Sequence, residues 1–145
     1  MFFEALEKCH DLASIGGESH ALIETIPALN PASRDYDSNV LVAGDCTHEI
    51  ASELQSRFYR HAVLADGSKP ANDERIRLLE KTPKNALRIP FMKQLFPDAH
   101  FIYLYRNPNH VVSSMIDAWQ SGKFRTYPDL PDWQGLPWSL LLIPG

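Results

Sequence analysis

Two consecutive strand-to-helix units constrain this chain more than any other feature. "RIRLLEKTP" (75–83) is a short apolar run ending in Glu-Lys, and the amphipathic stretch "NALRIPFMKQLF" (85–96) follows it. "HFIYLY" (100–105) then repeats the theme with aromatic and β-branched character, passes through Arg106, Asn107 and Pro108, and opens into "PNHVVSSMIDAWQSG" (108–122). Strands that alternate with helical stretches of this length imply parallel pairing through helical crossovers, which is the α/β class.

The rest of the chain is organised around these units. "MFFEALEKCHDLA" places Phe2, Phe3, Leu6, Cys9 and Leu12 or Ala13 at helical spacing and predicts a helix over 1–13. "SIGGESH" breaks that pattern, "ALIETIPAL" forms a short helix that Pro31 ends, and "NPASRDYDSN" is a polar loop. From Thr47, a suitable N-cap, Ile50, Leu54 and Phe58 return about every fourth residue, predicting a helix to about Leu64. "ADGSKPAND" is a turn-rich connector, and the tail "KFRTYPDLPDWQGLPWSLLLIPG" is an extended, aromatic-rich loop.

Composition narrows the classes of function. A chain of 145 residues forms one domain. Lys and Arg number 14 against 18 Asp and Glu, a formal charge of −4, which excludes a broad basic surface for nucleic acid. Any anion is bound locally. Cys9 and Cys46 have no CxxC spacing, so neither a disulfide framework nor a zinc knuckle is indicated and a reducing cytoplasm fits. No cluster of metal ligands stands out. The acidic amino terminus does not resemble a signal peptide, and no apolar run reaches the roughly 20 residues that span a bilayer.

The chemistry gathers at the strand ends, where open α/β sheets hold their ligands. Arg106 ends one strand, Asn107 can cap the next helix, and Pro108 sits in its first turn, leaving free backbone donors and a positive dipole end for an anion. Ser114, seven residues past Asn107 and roughly 20° short of two turns, falls on the flank that carries the cap. Ser113 does not. Val111, Val112, Met115, Ile116 and Trp119 make the apolar face expected to lie against the sheet. Lys81 and Thr82 end the preceding strand, so Lys81 and Arg106 reach one rim, and an ammonium there can stabilise charge on a leaving oxygen. "GGESH" (16–20) presents Glu18 and His20 on a turn as candidate general bases. Taken singly, each feature also has an ordinary reading: a strand-end ion pair, a solvated lysine beside Glu80, a helix start with an exposed glutamate.

Together these segments resemble the sulfotransferases that use 3′-phosphoadenosine 5′-phosphosulfate (PAPS). "RNPNHVVSS" resembles the family's 3′-phosphate-binding element, which assigns Arg106 and Ser114 to the nucleotide. "EKTP" resembles the lysine-bearing segment of heparan sulfate and tyrosylprotein sulfotransferases, which makes Lys81 the group that assists sulfuryl transfer. "GGESHALIE" is similar to the turn that carries the base in tyrosylprotein sulfotransferases, with Glu18 the first candidate and His20 the second. The Pro- and Trp-rich tail is similar to that of bacterial members, and Tyr127, Trp133 and Trp138 either line an acceptor site or pack against the sheet.

The resemblance implies a three-layer α/β/α parallel sheet of the P-loop type, here partial. The family's first strand and its loop of the form Pro-x-(Arg/Lys)-Ser-Gly-(Thr/Ser)-Thr do not occur in these residues. A chain truncated at both ends is the expectation, with impaired transfer to a hydroxyl or amine of a small molecule, carbohydrate or lipid. Two other classes stay open: a non-catalytic fragment that associates with another chain to complete its sheet, and a kinase-like nucleotide enzyme. The lack of a Gly-x-x-x-x-Gly-Lys-Ser/Thr segment counts against the second of these.

Overall fold

The computed structural model describes residues 2–71 and 76–121. In chain order it contains α1 (Phe2–Glu7), β1 (Leu12–Ser14), α2 (His20–Ile23), α3 (His48–His61), β2 (Val63–Leu64), β3 (Arg77–Leu79), α4 (Ile89–Leu95) and α5 (Pro108–Ser121), with short 3₁₀ turns between α2 and α3 and before α4.

The sheet has the order β2-β1-β3. β1 runs parallel to β3, with Leu12 opposite Arg77 and Ser14 opposite Leu79, and antiparallel to β2, with Ala13 opposite Leu64. The class is α/β as expected, but the sheet is mixed rather than parallel throughout. The antiparallel edge arises because α3 ends at His61, three residues short of the expected boundary, and the chain turns straight into β2.

Two further expectations are corrected. The first helix stops at Glu7 instead of Ala13, and Leu12 and Ala13 lie in the central strand. A three-residue strand is too short to display its own period of two, so the spacing of Leu6, Cys9 and Leu12 disguised it as helix. The segment 100–105 forms no strand. Its composition favours strand, but a strand exists only where a neighbour takes up its backbone groups, and among the described residues nothing pairs with it. The apolar face of α5 likewise does not lie on the sheet: Val112 and Ile116 are exposed. Gly122 and the tail, with Tyr127, Trp133 and Trp138, lie outside the described residues.

The core is built by the helices on the amino-terminal side of this segment. Ile23 of α2, Leu54 and Phe58 of α3, and Phe91, Met92 and Leu95 of α4 bury together with Leu29, Leu41 and Cys46. Phe58 meets Phe96 edge to face with ring centroids 5.4 Å apart. The expected N-cap of α3 is present, Thr47 accepting a hydrogen bond from the Ile50 amide at 3.3 Å.

Candidate functional site

Parallel pairing of β1 with β3 determines where the site lies. Parallel neighbours leave the sheet at the same edge, so the loop after Ser14 and the loop after Leu79 emerge side by side. The first loop is "IGGES". Gly16 turns it at φ +69°, a conformation that costs glycine little, and the Gly16 amide donates to Ser14 Oγ. The second is "EKTP".

A buried hydrogen-bond network fastens the two loops to each other. The Ser19 amide donates to Thr82 Oγ1 at 2.7 Å, Ser19 Oγ donates to Glu80 Oε1 at 2.6 Å, and Thr82 Oγ1 donates to the same carboxylate oxygen. Asn85 Nδ2 closes the network by donating to Ser19 Oγ at 2.9 Å and to Glu80 Oε2 at 3.1 Å. Ser19, Thr82 and Asn85 are buried, so each of these donors has exchanged water for a protein partner.

With the loops fixed, the sequence-predicted candidates Glu18, His20 and Lys81 come together. Lys81 Nζ donates to Glu18 Oε1 at 3.3 Å across 63 positions of sequence, and Lys81 remains 42% exposed. Glu18 Oε2 lies 3.3 Å from His20 Nδ1, an approach without hydrogen-bond geometry. The group therefore offers an accessible cation, a carboxylate and an imidazole within one small space.

Beneath it lies a second, deeper group. Glu24 Oε1 accepts from Lys84 Nζ and from Arg88 Nη2, each at 2.8 Å, and Arg88 Nε donates to the Asn39 carbonyl at 3.0 Å. Lys84 is 4% exposed and Arg88 is fully buried. Burial by itself pushes the Glu24 carboxyl upward, but hydrogen bonds and charge from Lys84 and Arg88 outweigh it and hold Glu24 below the ordinary glutamate value. Burial pulls Lys84 below its ordinary value, only partly offset by Glu24. The two directions agree physically: the carboxylate has two cations, and the ammonium shares that carboxylate with Arg88.

His20 feels this deeper group. Burial lowers its pKa below the ordinary 6.5, Lys84 and Arg88 lower it further, and Glu24 and Glu18 oppose them. The imidazole is neutral at pH 7 and able to accept a proton. In a histidine-resolved NMR titration, His20 is expected to protonate below the ordinary histidine value. Above that value the ring is neutral in both folded and unfolded chains; as pH falls from there toward the folded pKa, the unfolded chain takes up the proton first and stability declines. An upward-shifted His20 would contradict this.

Arg106 precedes α5 and Ser114 lies within it. Asn107 Oδ1 accepts from the Asn109 amide at 2.9 Å, so the expected cap of α5 is formed. Arg106 lies exposed just before that cap, and Ser114 is exposed two turns into the helix. Among the described residues no hydrogen bond or ion pair joins either of them to Lys81, Glu18 or His20.

Glu24, Lys84, Arg88, Ser19, Glu80, Thr82 and Asn85 were not singled out as site residues from sequence. One signal was available: Lys84 and Arg88 are four apart around Ala86 and Leu87, a spacing that places two cations on one side of the chain and asks for a buried acid.

Residues 8–136 match the family model described as the sulfotransferase family. That span includes both loops of the rim and the whole of α5. Neither the curated proteins nor the solved structures gave a match.

Proposed function

Because this chain belongs to the sulfotransferase family, we propose that the Glu18–His20–Lys81 group is a sulfuryl-transfer centre using PAPS as donor and a hydroxyl or amine as acceptor. The observation that carries this reading is the 3.3 Å pairing of Lys81 with Glu18. It sets a proton donor and a proton acceptor beside each other on an open rim, which is what an in-line transfer between two oxygens uses.

The residues fit such a donor in kind. When bound, PAPS supplies the activated sulfuryl group and a bisphosphate leaving group. Lys81 would offer its ammonium to the negative charge that develops on the leaving oxygen. Glu18 would take the proton of the acceptor's hydroxyl or amine, and His20, its pKa lowered by burial, would be the alternative base. Arg106 and Ser114 would hold the 3′-phosphate, the arginine through charge-assisted hydrogen bonds. The buried network through Glu80 and Asn85 positions the two loops so that Glu18 and Lys81 do not have to be ordered when substrate arrives. Two free cysteines, one exposed and one buried, suit a reducing compartment such as the cytoplasm. Among the described residues no helix is long and apolar enough to cross a membrane.

The test is incubation of the purified chain with sulfur-labelled PAPS and a panel of sugar, lipid and small-molecule acceptors bearing hydroxyls or amines. Label transferred to an acceptor in a Lys81-dependent manner supports the proposal. Transfer that survives loss of Lys81, or none with any acceptor, contradicts it.

A further inference from the structure

The deeper ion group lies one helical turn from the rim. His20 opens α2 and Glu24 follows it, the Glu24 amide donating to the His20 carbonyl at 2.9 Å, so the two side chains leave the same side of the turn. Lys84 and Arg88 reach the Glu24 carboxylate from the segment that leads into α4. Arg88 alone supplies the positive charge that neutralises Glu24, and a guanidinium is the cation best suited to burial. Lys84 is a second cation on the same oxygen, itself only 4% exposed. A buried ion pair is a poor source of net stability, so stability alone does not account for it.

The imidazole above this group is poorly placed to carry a charge. Its Nδ1 is buried without a hydrogen bond, and Glu18 Oε2, 3.3 Å away, is not positioned to accept from it. A protonated ring donates from both nitrogens, so a proton here would leave one N–H buried and unpaired. Among the described residues the charges that act on the ring are Lys84 and Arg88 before α4, Glu24 on α2, and Glu18, whose own partner on the rim is Lys81. We propose that Lys84 is a positioning residue for the rim: its buried ammonium, tied to Glu24 one turn from His20, keeps a second positive charge off the imidazole and so leaves Glu18 to Lys81.

A charged His20 would compete with Lys81 for Glu18, since both lie 3.3 Å from that carboxylate. Whichever of Glu18 and His20 takes the acceptor's proton, the rim works only while the ring is neutral. As base, the ring needs a free nitrogen; as neighbour, it must leave the carboxylate basic. The direction of the His20 pKa agrees with this: burial lowers it most and Lys84 next, against Glu24 and Glu18. The consequence for transfer rests on the sulfuryl-transfer reading; the coupling of Lys84 to His20 does not.

The test replaces Lys84 with glutamine, which keeps a donor for Glu24 and removes the charge while Arg88 still pairs with the carboxylate. In NMR titrations, with the His20 resonance assigned by its loss in His20→Gln, the His20 pKa is expected to rise above the wild-type value in Lys84→Gln and to return to it in Lys84→Arg. An unmoved pKa in Lys84→Gln, or an equal rise in Lys84→Arg, overturns the proposal. Wild type gives a second measurement that needs no substitution. Buried charges are screened little, so its His20 pKa is expected to hold between about 0.05 and 0.5 M salt. A return to the ordinary histidine value at the higher salt would place the cause on the exposed rim and overturn the proposal. Transfer from labelled PAPS separates the two readings. In Lys84→Gln the acid limb of kcat/KM is expected to move to higher pH, activity on that limb falling about tenfold for each unit by which the His20 pKa rises. A loss uniform across pH, or an acid limb indifferent to the substitution, overturns the positioning role and leaves sulfuryl transfer standing. A His20 pKa that answers to Lys84→Gln in a chain that transfers to no acceptor upholds the coupling and removes the sulfuryl-transfer reading.

Discussion

Replacing Glu24 with alanine is expected to destabilise the chain by about 3–5 kcal/mol, the loss typical of leaving buried charges without their partner. Lys84 and Arg88 both point their hydrogen bonds at one carboxylate oxygen. Without it, two cations remain in a site that excludes water, one of them fully buried. Urea denaturation at pH 7 measures the deficit. Acid provides an internal check. The folded-state pKa of Glu24 is depressed, so its contribution is present above the unfolded glutamate value of about 4.5 and is lost as pH falls through the folded value. The gap between wild type and Glu24→Ala should therefore narrow on acidification. A gap that stayed constant to pH 3, or a deficit below about 1 kcal/mol, would mean that the pair behaves as if it were on the surface.

The second large effect is chemical. Lys81→Met keeps an unbranched apolar stem and removes the ammonium. Loss of one donor aimed at developing negative charge typically costs about 10²–10³ in rate. In the labelled PAPS assay, transfer by Lys81→Met is expected to fall by that factor while the stability of the fold changes little, because Lys81 is 42% exposed and its pairing with Glu18 is solvent-screened. A fall of only twofold would reduce Lys81 to a bystander. A large loss of stability would recast the Lys81–Glu18 pair as a structural tie.

How far these residues were legible in the sequence depends on where each obtains its order. Helix α3 and its Thr47 cap could be read directly, because the cap and the period of Ile50, Leu54 and Phe58 are local properties. So could β3 and the Asn107 cap. β1 was hidden: three residues in the centre of a sheet are specified by their partners, and Leu12 continued a helical spacing by coincidence. That omission had a consequence for the site. Without β1 as a strand, nothing in the residues themselves says that the loop at 16–20 lies beside the loop at 80–82, although each looked chemically equipped. Family resemblance supplied the adjacency that local patterning lacked.

The segment 100–105 failed in the opposite direction. Its composition predicts a strand strongly, but propensity describes what a residue tolerates and pairing decides what it adopts. The buried network of Ser19, Glu80, Thr82 and Asn85 was illegible for a related reason. Polar residues next to a turn are usually solvated, and only the folded chain shows that these four hydrogen-bond to one another, three of them buried. Legibility ended where order is tertiary.

The central claim is that this chain holds a PAPS-type nucleotide by its 3′-phosphate, and calorimetric titration with adenosine 3′,5′-bisphosphate, with ATP as the comparison, tests it most directly. The account predicts saturable binding of the bisphosphate in preference to ATP, weakened at least about tenfold by Arg106→Ala, as befits the loss of a hydrogen bond to a charged group. Equal affinity for ATP, or bisphosphate binding that Arg106→Ala leaves untouched, would contradict it.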